Sequence, residues 1–242
     1  MKDILVIGES CRDIFTYCDA TRLCPDVPVP VLNVLDQIEN AGMAKNVQRN
    51  ILTKIKYCDI LTNNDWVNIT KTRYVHEKTN HTFFRVDTLH NVNRINLNDI
   101  DYEYKIIVIS DYNKGFLTDS DIESICSNHD NVFIDTKKIL GSWANKAKFI
   151  KINDYEYLRS ESTLTKELES KIIHTVGGRG CIYQSKIYPV ATVDVKDTSG
   201  AGDSFMAALV VKYLQTNDII ESIKYANEKA SEVVKHRGVT LI

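Results

Sequence analysis

Asp197-Thr198-Ser199-Gly200-Ala201-Gly202-Asp203-Ser204-Phe205 is a run of small residues flanked by acids, and it opens the apolar helical stretch 205–211. A polar, β-prone run at 191–196 leads into it. Two glycines let the backbone turn so that successive N–H groups and a helix N-terminus point at one spot, which seats a phosphate. Asp203, on the first turn, stands where a carboxylate accepts the proton of a hydroxyl attacking a phosphoryl group. An anion seat with a base above it is the pattern of a phosphoryl-transfer site. The plainer alternative is a glycine turn capped by acids, with no chemistry. Two familiar nucleotide motifs fail on spacing. No run of the form Gly-x4-Gly-Lys-Ser/Thr exists, so there is no Walker A loop. A dinucleotide fingerprint needs a third glycine where Phe205 stands, and it follows a first strand rather than lying near the C-terminus.

At 242 residues the chain is long enough to bury a large core, and its apolar and charged fractions, 43% and 26%, are those of an ordinary globular protein. A net charge of −2 without a long basic run argues against nucleic acid as a partner. No apolar stretch approaches the roughly 20 residues that span a bilayer, so no membrane association is expected. The opening Met1-Lys2-Asp3 and the five apolar residues after it are too short for a signal peptide and carry an acid. A cytoplasmic protein is expected. The six cysteines are scattered and contain no Cys-x-x-Cys, which reads as packing thiols rather than disulfides or a zinc site. The six histidines show no metal-ligand spacing.

Short apolar runs alternate with amphipathic stretches along the chain. Strands are predicted at 3–8, 105–110, 131–135, 149–152, 172–176 and 180–184, and helices at 43–55, 118–127, 154–159, 202–215 and 219–237. Buried β-runs separated by helices imply an α/β fold: a doubly wound, mostly parallel sheet with helices on both faces. We expect a single domain over 1–242. Ligands of such sheets bind beyond the carboxyl ends of the strands, where Gly8, Asp111, Asn153 and Gly177 fall. Two segments break the rhythm: 29–37 and 71–87 read as longer strands, the second as a hairpin turning near Lys78-Thr79-Asn80.

The signature at 197–205 resembles the C-terminal motif of the ribokinase-like (PfkB) family of carbohydrate and nucleoside kinases, and the resemblance extends along most of the chain. Ile4-Leu5-Val6-Ile7-Gly8-Glu9 reads as its first strand, followed by Asp13, where the family holds sugar hydroxyls. Ala41-Gly42-Met43-Ala44-Lys45-Asn46 is similar to the family's Gly-Gly-x-x-x-Asn sugar-binding segment, with Met43 in place of a glycine. Asn153-Asp154-Tyr155-Glu156 matches Asn-x-x-Glu, linked to magnesium and phosphate; Thr175 to Gly180 matches the nucleotide loop, and Ala226-Asn227 the element beside adenine. The resemblance implies ATP and Mg2+ as cofactors, with Asp203 as base and the N–H groups of Gly200, Ala201 and Gly202 as an anion hole. It implies Asp13, Gly42 and Asn46 on the sugar, and Asn153, Thr175, Gly177, Gly180 and Asn227 on the nucleotide. Glu156 would act on Mg2+ through water. Asp197, with Gly238, lies where some relatives bind potassium. The segments 28–38 and 70–88 would form a small β-sheet lid over the sugar that often pairs with a second subunit's lid, making a homodimer the expected state. Between 51 and 70 this chain is shorter than the family norm.

Three further stretches point within the family. Thr21 to Val31, Ser110-Asp111-Tyr112-Asn113-Lys114-Gly115 and Asp135-Thr136-Lys137 are similar to segments of heptose-7-phosphate kinases. Those enzymes phosphorylate the anomeric hydroxyl of a sugar that already carries a phosphate. Arg12, Arg22, Lys45, Arg73, Arg85 and Lys114 are the candidate contacts for that phosphate. The alternatives left open are a nucleoside or other small-molecule kinase of the same fold and a non-catalytic nucleotide- or sugar-binding module.

Overall fold

The computed structural model describes residues 2–88 and 91–242; Met1, at the start read above, and Leu89 and His90 lie outside them. The chain runs β1 (Lys2–Gly8), β2 (Ser10–Leu23), β3 (Pro30–Met43), α1 (Ala44–Leu52), β4 (Cys58–Leu61), β5 (Thr70–His76), β6 (Thr82–Asp87) and β7 (Tyr104–Asp111). It continues with α2 (Asp119–Asn128), β8 (Val132–Thr136), β9 (Phe149–Asn153), α3 (Asp154–Ser160), α4 (Lys166–Glu169), β10 (Ile172–Thr175), β11 (Cys181–Tyr183), β12 (Lys186–Tyr188), α5 (Ala201–Thr216) and α6 (Ile219–Val233).

Eight strands form one sheet in the order β12-β11-β10-β9-β8-β7-β1-β4, parallel from β10 to β4 and antiparallel at the β11–β12 edge. The period-2 alternation of each strand divides its side chains between two cores. Leu5, Ile7, Ile107, Ile109, Ile134 and Ile150 pack on one face with Ile122 and Ile125 of α2. Ile4, Val6, Ile106, Val108 and Phe133 pack on the other with α1, α5 and α6. Both faces are covered, which is why these strands read as near-continuous apolar runs. Helix α5 is wedged between sheet, α1 and α6, so 205–211 is buried all round rather than along one stripe.

The smaller sheet has the order β3-β2-β5-β6. It contains the expected 71–87 hairpin, turning at 77–81, and the expected strand at 29–37 extends to Met43. Sequence reading missed β2. Its polar and apolar residues alternate without a long apolar run, yet it is the sheet's centre, paired to β3 on one side and β5 on the other. Phe15, Tyr17 and Val75 bury the sheet's inner face against Val239 near the C-terminus. The run 191–196 is not a strand. Pro189 follows β12 and supplies no N–H, and Lys196 N–H donates instead to the Val234 carbonyl at 2.8 Å. Helix α6 stops at Val233, not 237. Among the described residues no helix is long and apolar enough to cross a membrane, and no cluster of His, Cys, Asp and Glu is arranged to hold a metal ion.

Candidate active site

Gly8, Asp111, Thr136, Asn153 and Thr175 end five adjacent parallel strands on one edge of the large sheet. The N-terminus of α5 faces that edge across a cavity of about 620 Å3, lined among others by Tyr112, Asp135, Lys137, Lys151, Thr175, Gly177, Gly180, Asn227 and 200–203. Gly200 enters the helix at φ 78°, a left-handed conformation that costs a glycine little. A side chain at Gly202 would stand 2.9 Å from Lys151 Nζ, so the small residues of this turn leave room for a buried cation.

Asp203 is 6% exposed. Its carboxylate accepts from Asn46 Nδ2 and from the Tyr112 hydroxyl, both at 2.8 Å. Burial raises its pKa above the ordinary carboxylate range, and these two hydrogen bonds work against that rise. Burial, and then the Asp203 charge, push the Tyr112 phenol well above its usual value, so the phenol is a neutral donor. Of the three N–H groups expected to form the anion hole, that of Ala201 already donates to the Thr198 carbonyl at 3.2 Å. Gly202, in the first turn of α5, belongs to the positions whose N–H groups have no intrahelical partner.

Below this carboxylate lies a network of buried charges. Lys151 Nζ donates to Asp135 Oδ2 at 2.8 Å, with both side chains buried. Lys137 donates to Glu156 and lies 3.9 Å from Asp135. Burial opposes the Lys137 charge, but Asp135 and Glu156 outweigh it and its pKa is raised. Glu156 was expected to reach magnesium. Here Lys137, the Asn153 amide and the Asn153 backbone N–H all donate to its carboxylate, closing the cap of α3. Among the described residues Asp135 Oδ1 accepts no hydrogen bond, and Lys137 Nζ lies 3.9 Å from it. A hard dication takes carboxylate oxygens and keeps several waters, and Asp135 and Glu156 are the carboxylates this network offers it.

On the small-sheet side Asp13 is buried and bound by Arg73. Burial raises its carboxyl pKa, and Arg73 works in the other direction. Gly42 pairs with Cys11 across β2 and β3, and Arg85 binds Asp87 at 2.7 Å. Lys114 does not line the large cavity and lines a second one, of about 210 Å3, with Glu9, Lys71 and Thr88. Asn227 lines the large cavity, and its Nδ2 donates to the Tyr188 carbonyl at 2.8 Å. Both Asp197 oxygens accept backbone N–H groups, from Ser199 at 2.8 Å and Gly238 at 3.0 Å. That arrangement ties the turn to the C-terminal segment.

Sequence reading assigned no role to Tyr112, Asp135, Lys137, Lys151 or Glu9. Lys151 did carry a signal, a lone charge inside the apolar strand β9. Tyr112 and Asp135 stood within quoted stretches, but nothing local says that a tyrosine after β7 meets an aspartate on α5.

The profile of the pfkB family carbohydrate kinases matches residues 74–242. The bifunctional protein HldE of Helicobacter pylori is 29% identical, over all of this chain and 64% of that protein, and the Helicobacter acinonychis protein of the same name is 28% identical over the same shares. The chain therefore spans just under two thirds of these curated relatives. The alignment runs over 299 positions, more than the 242 residues present here, so the relative carries segments that this chain lacks. Among solved structures, Thermotoga maritima ribokinase superposes with TM-score 0.75 at 18% identity, covering 99% of this chain and 95% of that one. Escherichia coli phosphofructokinase-2 in complex with potassium gives 0.73 at 14% identity, covering 100% and 95%. The fold is ribokinase-like. With a profile match over more than half its length, a buried aspartate at the glycine turn and the strand-end cavity before it, the chain belongs to the pfkB family of carbohydrate kinases.

Proposed function

We propose that this chain transfers the γ-phosphoryl group of ATP to a hydroxyl of a sugar phosphate, with heptose 7-phosphate, phosphorylated at its 1-hydroxyl, as the best match. The observation that carries the reading is the Asp203 carboxylate, buried at the N-terminus of α5, held by Asn46 and Tyr112 and facing the cavity. Asp203 takes the proton of the acceptor hydroxyl as its oxygen bonds to the γ-phosphorus. The bond to the β-phosphate oxygen breaks and ADP leaves. The Gly202 N–H and the Lys151 ammonium face the transferring oxygens and stabilise their charge. Bound Mg2+ would neutralise triphosphate charge, with Glu156 and Asn153 acting on it through water and Asp135 as a further carboxylate beside them. Thr175, Gly177, Gly180 and Asn227 line the wall expected to receive the nucleotide, while Asp13, Gly42 and Asn46 lie on the acceptor side. The heptose assignment rests on the stretches that resemble heptose-7-phosphate kinases.

A homodimer through the small sheet is part of the proposal: Val34, Leu35, Phe84 and Val86 are 47–60% exposed on it, an apolar surface on a sheet that benefits from cover. All six cysteines are free thiols, which suits a reducing cytoplasm with ATP at hand.

The test is ADP release by the wild-type protein against heptose, hexose and pentose phosphates, with free sugars and nucleosides alongside and Asp203→Asn in parallel. Turnover of one sugar phosphate that is lost in the variant supports the reading. Turnover of a nucleoside alone replaces it with a nucleoside kinase, and silence in a protein that binds ATP replaces it with a binding module.

A further inference from the structure

We propose that the second cavity seats a phosphate carried by the acceptor at the end remote from the reacting hydroxyl, and that Lys71 and Lys114 hold it. This rests on the kinase reading above. The structure sorts the cations near the small sheet by whether they already have a counter-charge. Arg12 is bound to Glu39, Arg73 to Asp13 and Arg85 to Asp87, and Lys45 does not line the cavity. Lys71 and Lys114 line the cavity, and among the described residues neither has a carboxylate within ion-pair distance. The acids that share the cavity are spent elsewhere. Glu9, fully buried, accepts the N–H groups of Tyr112 and Lys114, both at 2.8 Å, and Asp87 belongs to Arg85. Two lysines therefore line the cavity without a carboxylate paired to either among the described residues.

Its position relative to the base gives the cavity its meaning. Lys71 Nζ lies 4.8 Å from the centroid of the Tyr112 ring, and the hydroxyl of that ring is on Asp203. One tyrosine side chain separates the cationic cavity from the catalytic carboxylate, and Glu9 fixes Tyr112 and Lys114 to the same anchor. A sugar lying along that ring would place one terminal hydroxyl at Asp203 and its opposite end between the lysines. A cavity of about 210 Å3 corresponds to about seven waters at ~30 Å3 each, room for a phosphoryl group and the carbon that bears it. Ammonium groups bind phosphate as point charges. A neutral nucleoside or free sugar would leave both of them facing unreplaced water, so the cavity selects for a terminally phosphorylated acceptor.

The experiment is calorimetric binding of D-glycero-D-manno-heptose 7-phosphate and of the unphosphorylated heptose to wild type, Lys71→Gln, Lys114→Gln and the double variant, with ADP release measured on the same samples. Each single variant is expected to weaken the heptose phosphate about tenfold, the loss of one charge-assisted hydrogen bond, leaving the free heptose, the KM for ATP and the melting temperature unchanged. Equal losses for both sugars, no loss for either, or no binding of the heptose phosphate by wild type would overturn the proposal. Lysine-dependent binding without ADP release would uphold the subsite and remove the kinase reading. ADP release indifferent to both lysines would do the reverse.

Discussion

Asp203 is a carboxylate almost wholly out of water with two donors on it, a costly arrangement whose return is a base poised above the ordinary range. Asp203→Asn keeps the shape and removes the proton acceptor. ADP release is expected to fall by about 10²–10⁴ with the circular dichroism spectrum unchanged, and a variant as fast as wild type would remove Asp203 from the mechanism. Tyr112→Phe isolates one of the donors. The Tyr112 hydrogen bond lowers the Asp203 pKa, so its loss moves the acid limb of the rate profile to higher pH. An unmoved limb would mean that Tyr112 does not act on the base. At this scale the glycine turn, Asp203 and Asn46 were legible, because they sit in contiguous motifs whose residue types have few other uses. The contact of Glu156 with Asn153 is local and could be read from the sequence, whereas its contact with Lys137 comes from the end of another strand and could not.

The strand ends carry their own cost. Asp111 closes β7 at 1% exposure, accepting from the Thr136 hydroxyl at 2.5 Å and the Asn113 N–H at 3.1 Å. Burial first, and then the neighbouring Glu9 charge, push its carboxyl from 3.8 to about 6. The folded form thus holds its proton more tightly than the unfolded chain between those values, and this group's contribution to stability falls as pH rises through that window, by about 3 kcal/mol once both are passed. Asp111→Asn is expected to gain on wild type by that amount between pH 4 and pH 7, roughly 6–12 °C in relative melting temperature. A difference between the two proteins that stays constant over that range would show that Asp111 titrates normally. Elements with long apolar runs were legible to within a few residues: the parallel strands, α2 and α5. Strand β2 was not, since a central strand of a small sheet draws its pairing from both neighbours and can hold Asp13 and Arg12 where a sequence pattern suggests a loop.

At the level of the whole molecule the small sheet stands over the strand ends, its hairpin tip fastened by Asn80 Nδ2 to the Lys196 carbonyl at 2.6 Å just before the glycine turn. If its exposed apolar face pairs with a second copy, Phe84→Asp is expected to turn a dimer into a monomer in light scattering while leaving the monomer folded; a wild type that is monomeric at every concentration would end the dimer reading. Fold class, the order of the strands' motifs and the chemistry of the glycine turn were determined by the sequence alone, because each depends on periodicity, backbone freedom and residue type within a few positions of one another. Which charges neutralise each other was decided only by the tertiary structure. Ion pairs such as Arg73 with Asp13 and Lys151 with Asp135 join residues from different strands, and a charge's usefulness depends on what the fold brings within a few ångströms of it.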